Sequence, residues 1–279
     1  MKNIFKRSIT GLIYIILLFV ALFGGKITYG LFFLLVTFAA MNEFYVLTGK
    51  TNVSAQKYAG ILAGGVLFTI AFIYFSGYGT WKLLLFPLLF LPVFFIIELF
   101  RNKDKPFENV AFTILGIVYV AVPLAIMNSF VFSEYAGEIV YIPDVLAGVY
   151  ILIITNDTLA YLFGIFFGRH RILERISPKK SWEGFAGGAA GAFFAGFILS
   201  LIFPVMEQYQ WYILSFVVIV FGTFGDFAES MMKRSINTKD SGSLLPGHGG
   251  ILDRLDALLF VVPVAGFYFY YSGINLSLS

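Results

Sequence analysis

The feature that most constrains this chain is a near-continuous succession of apolar runs, each about 16–23 residues long and separated by short polar breaks. An α-helix rises about 1.5 Å per residue, so runs of that length match the hydrocarbon layer of a bilayer. Inside that layer every backbone N–H and C=O must be bonded within the protein, which leaves helices or a closed barrel. The runs lack the alternation of barrel strands, so helices are expected. Composition agrees: 59% of the 279 residues are hydrophobic and 13% are charged, where a soluble domain carries roughly a quarter charged. A soluble globule of this size could not hide so much apolar surface. An ordinary cytosolic enzyme, a disordered chain and a nucleic-acid binder are all excluded. With no cysteine, so are a disulfide framework, a thiolate metal site and a cysteine nucleophile.

The expected fold is an all-α polytopic membrane protein. About nine spans are predicted, near 9–25, 28–48, 57–76, 81–100, 109–131, 145–167, 184–206, 210–229 and 257–272. Lys2, Lys6 and Arg7 before the first run resemble a signal peptide, but residues 21–25 offer no small-x-small cleavage site, so a retained helix is expected. With the N-terminus cytoplasmic, only Lys26 and Lys82 of the 19 lysines and arginines fall in outer segments. The outer loop near 132–144 carries Glu134, Glu138 and Asp144 and no base. This asymmetry follows the positive-inside bias and puts the C-terminus in the periplasm. The spacings Gly60/Gly64, Gly184/Gly188 and Gly187/Gly191 suit close helix packing, within the bundle rather than along a dimer seam.

Three regions follow. Residues 1–108 form a scaffold of about four helices, 109–206 a middle region with the basic cytoplasmic loop 168–183, and 207–279 a C-terminal region with the densest polar chemistry. Ionisable groups within spans are costly and face partners, water or ligand. Glu43 and Glu98 stand near cytoplasmic helix ends, where pairing with Lys50 or Arg101 gives them structural roles. Asn156 and Asp157 fall mid-run and point to a polar cavity. In the eighth span Asp226, Glu229, Ser230 and Lys233 share one helical stripe. A glycine- and proline-containing loop follows, and then Asp253 and Asp256, three apart on one face of the last span.

Hard oxygen donors without cysteine, and with one nearby histidine, favour Mg²⁺ over zinc. Lys233, Arg234, Lys239 and Arg254 supply counter-charge for phosphates, and the glycines allow close backbone approach. Carboxylates, bases and glycines at one membrane face indicate phosphoryl or nucleotidyl transfer to a lipid; an acid–base network stapling helix ends is the plainer alternative. The loop Ser177-Pro178-Lys179-Lys180-Ser181-Trp182-Glu183-Gly184 suits either an anionic headgroup anchor or a nucleotide or phosphate holder.

The stretch Ser230-x2-Lys233-Arg234-x4-Lys239-Asp240-x-Gly242-x3-Pro246-Gly247-His248-Gly249-Gly250-x2-Asp253-Arg254-x-Asp256 resembles the signature of the phosphatidate cytidylyltransferases, the CDP-diacylglycerol synthases. Asn156-Asp157-x2-Ala160-Tyr161 and the segment 177–184 resemble further blocks of that family, with Ser181 where threonine is common. Together they cover residues 156–256. The N-terminal half is similar only in hydropathy.

The resemblance implies a bacterial inner-membrane enzyme, a homodimer, and a cytoplasm-facing polar cavity. It implies that CTP and phosphatidate give CDP-diacylglycerol and pyrophosphate, with Mg²⁺ and a monovalent ion, K⁺, as cofactors. Carried over by position, the metal-bridging acids are Asp226 and Asp253, with Asp256 close by. The catalytic set is Lys233, Arg234, Lys239, Asp240, His248 and Arg254; the glycines beside His248 suit loop shaping or phosphate contact better than proton transfer. The substrate-binding set is Asn156, Asp157, Ser177, Lys179, Lys180, Ser230, Gly249 and Gly250. The rival readings are another lipid nucleotidyl- or phosphotransferase and an ion-coupled transporter; no repeat between the halves supports the transporter.

Overall fold

A computed structural model describes residues 2–238, 241–242 and 249–272. The chain forms helices α1 (Lys2–Phe23), α2 (Lys26–Thr48), α3 (Lys57–Phe75), α4 (Trp81–Arg101), α5 (Pro106–Phe130), α6 (Asp144–Phe167), α7 (Trp182–Ile202), α8 (Gln208–Ser235) and α9 (Leu252–Ser272). Between α5 and α6 lies a small antiparallel hairpin, β1 (Phe132–Tyr135) with β2 (Glu138–Tyr141), in which Phe132 stands opposite Tyr141. Among the described residues, eight helices are long and apolar enough to cross a membrane, α2 to α9; in α1 the apolar stretch is Gly11–Phe23. The chain is an all-α polytopic membrane protein.

Two helices are interrupted by π turns, α5 at Ile117–Ala121 and α8 at Val218–Gly222. A π turn inserts one extra residue per turn and so re-aims the side chains that follow. In α8 it stands immediately before the stripe that starts at Asp226.

The chain divides into two compact units, one of Met1–Asn128 with Ile236–Leu255, the other of Ser129–Ser235 with Asp256–Ser279. In the first unit, glycines let α2 and α3 approach closely: a methyl at Gly64 would collide with Met41, and one at Gly60 with the ring of Tyr45. The Tyr45 hydroxyl donates to the Thr113 carbonyl at 2.7 Å. Glu98 is buried in a polar knot, accepting from Gln56 Nε2 at 2.7 Å, Asn109 Nδ2 at 2.7 Å and Arg101 Nη1 at 2.8 Å. Its expected pairing with Arg101 is present. Many large apolar side chains remain on the outer faces, and none of Trp81–Leu89 is buried, as expected where lipid replaces water as the outer solvent.

In the second unit α6 and α7 run in close contact. Methyls at Gly187 and Gly191 would overlap Phe163 and Leu159, and Gly188 lies against Asn156. The small-xxx-small spacings thus meet neighbouring helices of the same chain. Gly148 packs on the buried Trp211, and Phe130 meets Phe269 edge-on at 5.1 Å.

Candidate active site

The polar groups of the second unit collect where α8 crosses α9. Gly225 lies so close to α9 that a Cβ there would overlap the Asp256 carbonyl, and Gly222 lies on Ala257 and Val261. The side chains beside that contact, Asp226 and Asp256, are thereby brought together. Asp226, Asp157 from α6 and Lys180 all lie near enough to interact with the charge of Asp256. Lys180 forms an ion pair with Asp226, and its ammonium also sits 4.7 Å from the Phe227 ring centroid. Ser230 Oγ approaches Asp226 Oδ1 at 3.5 Å, and Asp256 Oδ1 accepts from the Ala257 amide at 2.7 Å. Three carboxylates and one ammonium therefore occupy one neighbourhood. Like charges held together are unfavourable without a counter-cation; among the described residues Lys180 supplies one.

Lys180 is carried by a loop that its own hydrogen bonds hold in shape. Glu183, in the first turn of α7, accepts from the amides of Arg169 at 3.0 Å and His170 at 3.2 Å, and meets His170 Nδ1 at 2.6 Å. Ser181 is the N-cap of α7: its buried hydroxyl accepts from the Gly184 amide at 3.1 Å. Serine and threonine both perform that role, which accounts for the exchange at this position. Arg171 Nη1 donates to the Lys179 carbonyl at 3.0 Å, and the Ser177 amide to the Leu173 carbonyl at 2.9 Å. The Lys179 side chain is exposed and that of Ser177 half-buried.

Of the remaining residues on the α8 stripe, Lys233 is paired at 2.6 Å with Glu229, whose side chain is only 1% exposed; Arg234 is exposed. Asn156 is buried, with Nδ2 3.5 Å from Asp157 Oδ1.

The first unit holds the described part of the signature between Ile236 and Leu255. Asp253 Oδ2 accepts from the Gly250 amide at 2.7 Å and the Ser241 amide at 3.1 Å. Gly249 has φ +81°, and a Cβ there would strike the Asp253 carboxylate, so only glycine fits. Arg254 is exposed. Lys239, Asp240 and His248 lie outside the described residues. Glu43 does not pair with Lys50, as one might expect from their shared end of α2; it turns instead to the signature segment, where Oε2 accepts from the Leu252 amide at 2.9 Å, while Lys50 Nζ donates to Thr238 Oγ1 at 3.4 Å. Nothing in the spacing of Glu43 announces a partner 209 residues away; a lone acid in an apolar run is the only signal.

The sequence model of the cytidylyltransferase family matches residues 5–272. The chain belongs to the cytidylyltransferase family. It is a membrane nucleotidyltransferase. Similar proteins include the phosphatidate cytidylyltransferases of Staphylococcus saprophyticus, 30% identical over 92% of this chain and 96% of that protein, and of Thermotoga maritima, 38% identical over 61% of this chain and 63% of that protein. That of Mycobacterium leprae is 40% identical over 46% of this chain and 42% of its own length.

As for a metal, among the described residues no group of three or more His, Cys, Asp or Glu comes together as a cation cage. Magnesium asks for less: one or two carboxylates, with water and phosphate oxygens completing the shell. The Asp226–Asp256 neighbourhood, acidic in excess and already holding one ammonium, fits that demand.

Proposed function

We propose that this cytidylyltransferase joins CTP to phosphatidate at the cytoplasmic face of a bacterial inner membrane, giving CDP-diacylglycerol and pyrophosphate. The observation that carries the reading is Asp256 with Asp226, Asp157 and Lys180 near enough to act on its charge, Lys180 being paired with Asp226, in a chain of this family. The charge asymmetry of the loops supports the cytoplasmic face, and the names of the relatives support the lipid substrate.

A phosphatidate oxygen attacks the α-phosphorus of CTP and pyrophosphate leaves. A phosphomonoester is largely dianionic near neutral pH because its second pKa is about 6, so no strong general base is needed. The protein's work is positioning and charge neutralisation. As the family resemblance implies, Asp226, Asp253 and Asp256 would hold Mg²⁺, with K⁺ as the companion ion. When bound, the divalent ion neutralises triphosphate charge and stabilises the departing pyrophosphate.

Lys180 leaves Asp226 for phosphate oxygens as substrate enters, because the two anions compete for one ammonium. Lys233, Arg234, Lys239 and Arg254 bind the triphosphate and the lipid phosphate. Asp240, His248, Gly249 and Gly250 shape the loop around them. Ser177, Lys179 and Ser230 contact substrate, and Asn156 and Asp157 line the polar entry from the bilayer. The working unit is a homodimer.

Purified protein given labelled CTP and phosphatidate tests this directly. Label is expected in the organic phase only with Mg²⁺ present; absence of lipid product with and without Mg²⁺ rejects the reading.

A further inference from the structure

We infer that Glu43, on helix α2, is a positioning residue for cytidylyl transfer: by holding Leu252, it fixes the start of α9 from which Asp253 projects. The inference rests on the proposed role of Asp253 as a ligand of the divalent ion.

Glu43 is 4% exposed, in a helix whose other buried residues are almost all apolar. A carboxylate there is costly unless its bonds accomplish something. Oε2 accepts from the Leu252 amide, the first residue of α9, at 2.9 Å. The opening amides of a helix have no partner within it, so a carboxylate there both satisfies a donor and complements the helix dipole.

The next residue is Asp253. Its own carboxylate accepts from Gly250 and Ser241, and so draws the two described ends of the segment toward each other. The same Glu43 carboxylate fills the space that side chains at Gly242 and Gly250 would take. Gly242, Gly250 and Leu252 thus close on Glu43 as on a pin, and Asp253 follows the residue whose amide Glu43 holds. Ser241 Oγ, beside Gly250, and Glu43 Oε1, against Gly242, are buried without a hydrogen-bond partner among the described residues. Among the described residues the pin is therefore set by Oε2.

Outer partners of metal ligands, when removed, typically weaken metal binding by about 10–100-fold. Glu43→Ala is expected to raise both the Mg²⁺ concentration for half-maximal activity and the Mn²⁺ dissociation constant, read by electron paramagnetic resonance on the full-length protein in detergent, by at least about tenfold. The KM for CTP measured at saturating Mg²⁺ should change much less. Glu43→Gln keeps an acceptor oxygen and should stay within about threefold of the parent on every reading.

Glu43→Asp, one methylene short of the Leu252 amide, should behave like Glu43→Ala; it carries the test should the alanine variant fail to fold. Unchanged Mn²⁺ binding in folded Glu43→Ala or Glu43→Asp overturns the inference. So does a folded Glu43→Gln as defective as those variants, since the charge and not the hydrogen bond would then matter. Asp253→Asn is the control: if it binds Mn²⁺ like the parent, it is the metal reading that falls.

Discussion

Glu98 and the Asp226–Asp256 pair are carboxylates of the same chain placed within or at the ends of membrane-spanning helices, and they are treated in opposite ways. Around Glu98 the fold arranges two amides and a guanidinium within 2.8 Å, so each oxygen is answered by a neutral donor or a charge from the protein itself. Around Asp256, among the described residues, it arranges Asp226, Asp157 and the ammonium of Lys180. The first is a finished structure, and its worth is stability. The second holds more acids than bases among the described residues, and an acidic excess is what a cation with phosphates attached can relieve. Burial of an acid therefore says little about its role; the sign and number of its neighbours decide.

The largest expected effect separates the two directly. Asp256→Asn should lower turnover by about 10³-fold or more, the scale of losing a charge-stabilising group at a reacting phosphate. Its melting temperature in detergent should stay level or rise, because one of several like charges is removed. Turnover within tenfold of the parent would break the contrast at its functional end.

Lys233→Ala belongs between the two kinds of site. Its partner Glu229 is only 1% exposed, and stripping one member from a buried pair costs about 3 kcal/mol. Both stability and turnover should fall, as read by denaturation and by CTP kinetics. Lost turnover with undiminished stability would show that the pair contributes nothing to the fold and that Lys233 serves substrate alone.

Glu98→Ala should cost about 2 kcal/mol through the lost charged hydrogen bonds and leave the activity of each folded molecule unchanged. A fall in specific activity that matches Asp256→Asn would erase the distinction. The smallest effect is expected at the loop that carries Lys180: Ser181→Ala removes the α7 cap and about 1 kcal/mol, whereas Ser181→Thr should be neutral. A thermal melt of the two variants side by side checks it.

Much of the fold was legible because a bilayer leaves so few solutions. The ends of α2, α3, α4 and α6 lie within a few residues of the apolar runs that predict them. The seventh and eighth expected spans correspond to α7 and α8, with α8 extending to Ser235, beyond the apolar run, because its polar stripe continues the same helix. The Asp226/Ser230 and Glu229/Lys233 contacts are also local, being four residues apart on one helix, and spacing alone foretells them.

Other contacts could not be read so. Lys180 appears in sequence as one base of a positively charged loop, suited equally to headgroups and nucleotide; its pairing with Asp226 joins residues 46 positions apart and depends on how the loop before α7 lies beside α8. Ser181 is one more hydroxyl of that loop in sequence, and the fold buries it as the cap of α7. The turn from Glu43 to Leu252 has no local signature at all.

From sequence alone came the solvent, the helical class, the sidedness expected of the loops and the identity of the acids and bases, since hydrophobic length, charge bias and donor chemistry are properties of short segments. Tertiary structure alone decided which acid meets which partner: that Glu98 is enclosed by donors, that Asp226 and Asp256 are brought together where Gly225 lets two helices touch, and that Glu43 closes on Leu252. Such pairings depend on directions and distances between segments remote in the chain, and only packing determines those.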